Sequence, residues 1–176
     1  MIENLKKLEN LINSELTSKI QSSFIANDEL SIEINENDLI EIIQFLKSNE
    51  KCKFRQLIDI AGVDYPNEEK RFKLVYLFLS HENNCRIKIS INFQPKQIIN
   101  SITKIFPAAN WMEREVFDMY GIKFKNHPDL RRILTDYGFE GHPLRKDFPL
   151  TGHSEVRYSE EKKKVVNEPV KLEQNY

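Results

Sequence analysis

Phe72-Lys-Leu-Val-Tyr-Leu-Phe-Leu-Ser80, then His81-Glu-Asn-Asn84, then Cys85-Arg-Ile-Lys-Ile-Ser-Ile-Asn-Phe93 is the stretch that decides the fold. In its second half Cys85, Ile87, Ile89, Ile91 and Phe93 alternate strictly with Arg86, Lys88, Ser90 and Asn92. A period of two belongs to a strand with one buried face. Phe72 to Ser80 is apolar on both faces, which predicts a central strand. The polar tetrapeptide between them reads as a hairpin loop. Ile87, Ile89 and Ile91 are expected to face a core, and Cys85 to point into it.

Toward the N-terminus, Phe54 to Val63 is a further strand-like run, broken at Gly62 and followed by the turn Tyr65-Pro66-Asn67. Leu30, Ile32 and Ile34 alternate with polar neighbours, as in a short half-buried strand. Asn35 to Asp38 is expected to supply capping side chains for a helix over Leu39 to Lys47, with Ile42, Ile43 and Leu46 inward. Met1 to Ile20 is amphipathic, with Ile2, Leu5, Leu8, Ile12, Leu16 and Ile20 at three- and four-residue steps. Glu3, Glu9 and Glu15 interrupt its polar face, unlike a transit peptide, and it lacks the apolar core of a signal peptide. The protein is therefore expected to work in the compartment that makes it. Beyond Pro95, Gln97 to Phe106 predicts a helix with Ile98, Ile99, Ile102 and Ile105 inward. Helices and strands thus alternate through the first two-thirds of the chain.

With 26 Lys+Arg against 27 Asp+Glu, the formal charge is −1, so nothing favours nucleic acid as a partner. At 176 residues the chain suits one domain, with room for an appendage. No run approaches the roughly 18 apolar residues that a membrane span needs, so direct membrane insertion is not expected. Cys52 and Cys85 stand far apart with no Cys-x-x-Cys, which argues against a self-contained iron–sulfur site.

The stretch Trp111-Met-Glu-Arg-Glu-Val-Phe-Asp-Met-Tyr-Gly121 reads as a helix with Gly121 at its left-handed cap. Met112, Val116, Phe117, Met119 and Tyr120 fill one arc at ~100° per residue. Arg114 and Asp118 point away from that arc, and Glu115 lies at its edge. Glu113 falls inside it. A carboxylate there is costly to bury unless a cation or several N–H donors meet it. Either the helix makes a polar contact within its own fold, or it faces another protein, or its charges are merely solvated. Pairing of Glu113 with a cation is expected, with Arg131, Arg132 or a partner's arginine as counter-ion.

After Gly121 the periodicity fades, leaving short pieces near Arg157–Tyr158 and Val165–Val166. Irregular segments beyond ~12–15 residues are uncommon in a compact domain unless functional or disordered. Phe139, Leu144, Phe148, Leu150, Tyr158 and Leu172 are too apolar for a linker, which points to an extended arm lying on another protein. His127, His142 and His153 have neither helix nor zinc-ribbon spacing, so their imidazoles read as turn elements. Arg131-Arg132 and Arg145-Lys146 suit a partner's carboxylates. Asp129 and Asp147 stand close enough to pair with them locally instead. Neither a Gly-rich phosphate loop nor a nucleophile elbow is present, and Glu113 and Glu115 diverge on the helix.

Glu113-Arg114-Glu115, Asp118-Met119-Tyr120, His127 and Arg131-Arg132-Ile133-Leu134 resemble the signature of the 30 kDa or C-type subunit family of proton-pumping NADH:quinone oxidoreductase, respiratory complex I. Gly141-His142-Pro143-Leu144-Arg145-Lys146-Asp147-Phe148-Pro149-Leu150-Thr151-Gly152, Glu155-Val156-Arg157-Tyr158 and the pattern around Val166 and Glu168-Pro169-Val170 are similar to the same family, so the resemblance runs from about Asn110 to the end, with a weaker similarity of strand pattern over Ser31 to Phe93. The resemblance implies an α+β fold: a mixed β-sheet with flanking helices and a long extended C-terminal arm. It divides the chain into an α+β domain over residues 1–126 and an arm over 127–176 that wraps partner subunits. It also implies a structural and assembly role in the peripheral arm, without catalytic, cofactor-binding or metal residues of its own. FMN and iron–sulfur clusters are expected in other subunits. The implied partners are the homologue of the D-type subunit, which helps form the quinone pocket, and neighbouring iron–sulfur subunits. The implied location is the cytoplasmic face of a bacterial inner membrane, or the matrix side if organelle-encoded. Family-signature residues expected at the partner interface are Glu113, Arg114, Glu115, Asp118, His127, Arg131, Arg132, His142, Arg145, Lys146 and Asp147. The equivalent scaffold of a membrane-bound hydrogenase or another quinone-linked dehydrogenase is the nearest alternative. An independent small enzyme or metal-binding module using the same His and Glu residues is the alternative of a different class.

Overall fold

The computed structural model describes residues 2–170, with elements in the order α1 (Ile2–Glu15), β1 (Ile20–Ala26), β2 (Glu29–Ile34), α2 (Leu39–Ser48), β3 (Gln56–Asp64), β4 (Phe72–Ser80), β5 (Cys85–Phe93), β6 (Ile99–Asn100), α3 (Ala109–Tyr120), β7 (Phe124–Lys125), β8 (Ser154–Ser159) and β9 (Lys164–Pro169). This is an α+β fold around a mixed five-stranded sheet in the order β1-β2-β5-β4-β3. The β4–β5 hairpin pairs in register from Phe72↔Phe93 to Ser80↔Cys85. β2 joins β5 in parallel, with Ile32 opposite Ile89, and that pair makes the sheet mixed.

Register places Ile32, Ile89, Tyr76 and Ile60 side by side on one face, and all four are buried. Against this face pack Leu5, Leu8 and Ile12 of α1, Ile42, Ile43 and Leu46 of α2, and Val116 of α3, in one continuous core. On the other face Val75, Leu77 and Lys88 are only half-buried, so the sheet is covered from one side. Among the described residues no helix is long and apolar enough to cross a membrane.

Several expectations are corrected. Gln97 to Phe106 is not a helix. Ile99 and Ser101 donate their amides to the Lys123 and Lys125 carbonyls at 3.1 and 2.9 Å, which builds the β6–β7 pair instead. Only a single turn closes on the Ile102 carbonyl, tied down by Lys47, whose Nζ reaches the Ile105 carbonyl. Tertiary partners override local propensity in such isoleucine-rich runs. Ile99, Ile102 and Ile105 are buried as expected, whereas Ile98 is exposed.

Neither Asn35 nor Asp38 caps α2 through its side chain; Glu36–Asp38 forms a 3₁₀ turn that leads into it. α1 ends at Glu15, and Ile20 belongs to β1, a strand the periodicity does not reveal. The β1–β2 link is a two-residue turn, Asn27-Asp28, with φ of 50° and 59° at its two positions. Asn and Asp tolerate that left-handed region better than other non-glycine residues. Cys85 is half-buried and packs against the core beside α1, and Cys52 is buried.

Beyond Thr151 the chain is not a single extended run. β8 and β9 pair antiparallel from Ser154↔Pro169 to Ser159↔Lys164, so the segment supplies its own backbone partners. Tyr158 and Leu150 stay exposed. Leu172, the end of the proposed arm at Tyr176, Met1 and the side chain of Ile2 lie outside the described residues.

Candidate functional site: the signature helix and the segment folded onto it

α3 ends at Gly121, whose φ of 74° is left-handed and whose amide donates to the Phe117 carbonyl at 2.8 Å. A helix leaves its last carbonyls without internal donors. Here the segment His142–Arg145 supplies them in turn. His142 Nδ1 donates to the Asp118 carbonyl at 2.9 Å, the Leu144 amide to Met119 at 3.1 Å, and Arg145 Nε to Tyr120 at 2.6 Å. Burial lowers the proton affinity of His142, which suits it to act as a neutral donor. A Cβ at Gly121 would collide with the His142 and Arg145 side chains, so glycine is required by both conformation and space.

One turn earlier, the Asp118 side chain is fully buried. Its Oδ2 accepts the amides of Ile133, Leu134 and Thr135 at 3.0, 2.8 and 2.9 Å. Its Oδ1 accepts Thr135 Oγ1 at 2.7 Å and Arg132 Nη1 at 2.8 Å. Burial alone would raise this carboxyl. The Thr135 hydroxyl and amide, the Leu134 amide and Arg132 together outweigh it and hold the group well below the usual carboxylate range. Asp118 does point away from the core arc, but the 132–135 segment covers it. Arg114 reinforces the same segment by donating to the Arg131 and Arg132 carbonyls, each at 3.0 Å.

A second anchor lies at the β3–β4 turn. Arg71 forks onto Asp64 through Nε and Nη2 at 2.6 and 2.8 Å, and its Nη1 reaches Asp147 at 2.9 Å. The Lys146 amide donates to the same Asp64 at 2.7 Å. The bond from Arg71 is the main reason that Asp64 stays below its ordinary range, and Arg71 does the same for Asp147. The guanidinium of Arg145 lies 5.3 Å from the Phe72 ring centre, within cation–π range.

Glu113 is fully buried, as the arc position requires, but its partner is not an arginine. Oε1 accepts the Ile102 amide at 2.8 Å, and Oε2 has no hydrogen-bond partner among the described residues. Arg132 is committed to Asp118, and Arg131 pairs with Asp129 at 2.9 Å on the surface. The nearest basic group is His127, with Nε2 at 3.9 Å from Oε2. The expected pairing of Glu113 with Arg131 or Arg132 is therefore corrected: the two arginines are drawn to carboxylates closer to them in the chain.

Of the signature residues, Arg114, Asp118, Arg132, His142 and Arg145 gather at the C-terminal half of α3. Lys146 and Asp147 join Asp64 and Arg71 at the sheet end, through a backbone amide and a carboxylate respectively. Glu113 and His127 share a separate buried pocket. Glu115 and Arg131 face solvent. Asp64, Arg71 and Thr135 escaped sequence reasoning. The Asp64/Arg71 pair, with opposite charges on either side of the Tyr65-Pro66-Asn67 turn, was the available signal.

A 540 Å³ cleft lies between α1 and the β4–β5 turn, lined by Lys7, Leu8, Lys51, Asn83 and Cys85 among others, away from the signature residues. Among the described residues no three His, Cys, Asp or Glu side chains converge as a metal would require. The cluster orders a loop.

Residues 32–154 match the family described as "Respiratory-chain NADH dehydrogenase, 30 Kd subunit". The chain is 50% identical over 176 residues to the NADH-quinone oxidoreductase C subunit of Chelativorans sp., covering 100% of this chain and 88% of that protein. It is 49% identical over 175 residues to the corresponding C subunit of Rhodospirillum rubrum, covering 99% and 82%. Among solved structures, the trypsin-resistant fragment (1-134) of Nqo5 superposes with a TM-score of 0.60 at 24% identity, over 72% of this chain and 99% of that one. A chain of the membrane-bound sulfane sulfur reductase, an archaeal respiratory membrane complex, gives a TM-score of 0.72 at 21% identity, over 82% and 85%. These two share the fold. With about half its residues identical to those C subunits from end to end, and with the family match spanning β3 to β5, the signature helix and the segment folded on it, this chain belongs to the 30 kDa subunit family of respiratory-chain NADH dehydrogenase.

Proposed function

We propose that the chain is a non-catalytic structural and assembly subunit of the peripheral arm of a proton-pumping NADH:quinone oxidoreductase. In this reading it packs against the homologue of the D-type subunit, at the quinone site, and against neighbouring iron–sulfur subunits. FMN and the clusters reside in those other subunits. It sits on the cytoplasmic face of a bacterial inner membrane, or on the matrix side in an organelle. Residues 127–176 form the part that reaches over the partners. The observation that carries the reading is how the signature side chains use their bonds. Asp118, Arg114, His142, Arg145 and Arg71 hold residues 131–147 in one conformation. Trp111, Leu134, Tyr137, Leu144 and Leu150 are left exposed. Pre-ordered loops that present large apolar side chains lower the entropy cost of association.

The test is purification of the complex through a tag on this chain. Joint recovery of the quinone-site subunit and NADH:quinone reductase activity supports the reading. Activity that co-purifies with a hydrogenase instead of an NADH-oxidising subunit would favour the equivalent scaffold of a related complex. That second reading draws on the fold shared with the sulfane sulfur reductase chain.

A further inference from the structure

We propose that Glu113 is a buried proton-binding site: its carboxyl holds a proton in the folded chain and gives it up on unfolding or as pH rises through neutrality. The geometry gives the charged form little support: the Ile102 amide, and in part the Ser101 hydroxyl, which is shared with Thr103. One oxygen accepts the Ile102 amide at 2.8 Å, and the other has no hydrogen-bond partner among the described residues. The hydroxyl of Tyr76, projecting from β4, is likewise buried without a partner among them. A carboxylate met by one amide, a shared hydroxyl and no cation is costly in a low-dielectric interior, and a proton removes that cost.

Among the described residues His127 is the only candidate counter-ion on this pocket, and its bonds exclude that role. Its Nδ1 accepts the Asp129 amide at 3.0 Å, so the ring's single proton is on Nε2. That proton is directed to the Asn110 carbonyl at 3.0 Å. Becoming a cation would require the ring to give up the Asp129 amide. Among the described residues the other charged groups nearby are engaged elsewhere: Lys47 of α2 is turned to the Ile105 carbonyl. From β3, Asp59 is exposed and Asp64 is bound to Arg71. From the turn after β6, the Ser101 hydroxyl is shared with Thr103. From α3 itself, Arg114 is turned to the Arg131 and Arg132 carbonyls.

Consistent with this geometry, burial raises the Glu113 carboxyl from its ordinary 4.5 to about 7, the Ser101 hydroxyl and the Ile102 amide opposing it in part. Because the folded value lies above the unfolded one, the stabilisation from the bound proton is complete below about pH 4.5 and is lost as pH rises through about 7. The stability of the fold that carries Asp118 and the signature segment is thereby linked to proton concentration near neutrality.

The test is a side-chain carboxyl ¹³C NMR titration of the full chain labelled at glutamate, with Glu113 assigned through its own amide. The Glu113 resonance should titrate with a midpoint near 7. A resonance already fully ionised at about pH 6 would overturn the proposal. Independently, the unfolding temperature of the wild type should fall relative to Glu113→Gln between about pH 5 and pH 8. Parallel curves for the two proteins would also overturn it. The wild-type titration decides the matter alone should Glu113→Gln not fold.

Discussion

Asp118 and Thr135, seventeen residues apart, are joined twice: the Thr135 amide and hydroxyl both donate to the one carboxylate, at 2.9 and 2.7 Å. That pair is the centre of the loop-ordering cluster on α3. Replacing Asp118 with Asn leaves the shape but removes the charge and one acceptor, so the amides of residues 133–135 lose their charge-assisted bonds. Breaking a buried charged network of this kind costs ~3–5 kcal/mol. Hydrogen exchange should accelerate first at Ile133, Leu134 and Thr135. Unchanged protection there would contradict the assignment.

The same carboxyl sets an acid limit. Its folded value lies below the ordinary 3.8, so its stabilisation is present above that value and is lost as pH falls through the lower, folded one. Acid unfolding followed by circular dichroism should therefore be shallower in Asp118→Asn than in the wild type.

At the end of α3, Gly121→Ala combines a left-handed φ with a collision against His142 and Arg145. The conformational part alone costs ~1–2 kcal/mol. Displacement of the His142–Arg145 segment adds to it. Chemical denaturation should show a lower midpoint, and fast exchange should appear at Leu144. Gly138→Ala has an equally positive φ but open space around it, so it isolates the conformational part.

Arg71→Ala strands a buried Asp64 carboxylate with only the Lys146 amide for company. A loss of ~3–5 kcal/mol is expected, together with early proteolytic cleavage around Lys146–Phe148. Arg71→Lys should recover only part of it, because an ammonium cannot reproduce the forked contact.

In the sheet, Ile89→Ala should cost ~2–5 kcal/mol, since Ile89 is fully buried between Ile32 and Tyr76. Lys88→Ala should cost at most ~1 kcal/mol, because its contact with Glu29 is solvent-accessible. Equal losses in urea denaturation would mean that the register is wrong.

Local chemistry by itself determined the β4–β5 hairpin, α2, the cap at Gly121 and the burial of Glu113. Each of these depends on periodicity or on a neighbour within a few residues. The resemblance to the 30 kDa family from about Asn110 onward was equally legible in the sequence. What the tertiary structure alone decided is where the long-range bonds go. Isoleucines at 98–105 fit a helix until Lys123 and Lys125 offer carbonyls to Ile99 and Ser101. Arg132 sits fourteen residues from Asp118 and nineteen from Glu113, and sequence spacing cannot choose between two carboxylates at such range. The choice follows from the 132–135 segment, whose three amides converge on Asp118 and bring Arg132 with them. Glu113 is left on the far side of the helix, beside Tyr76 and a His127 bound to Asn110 and Asp129.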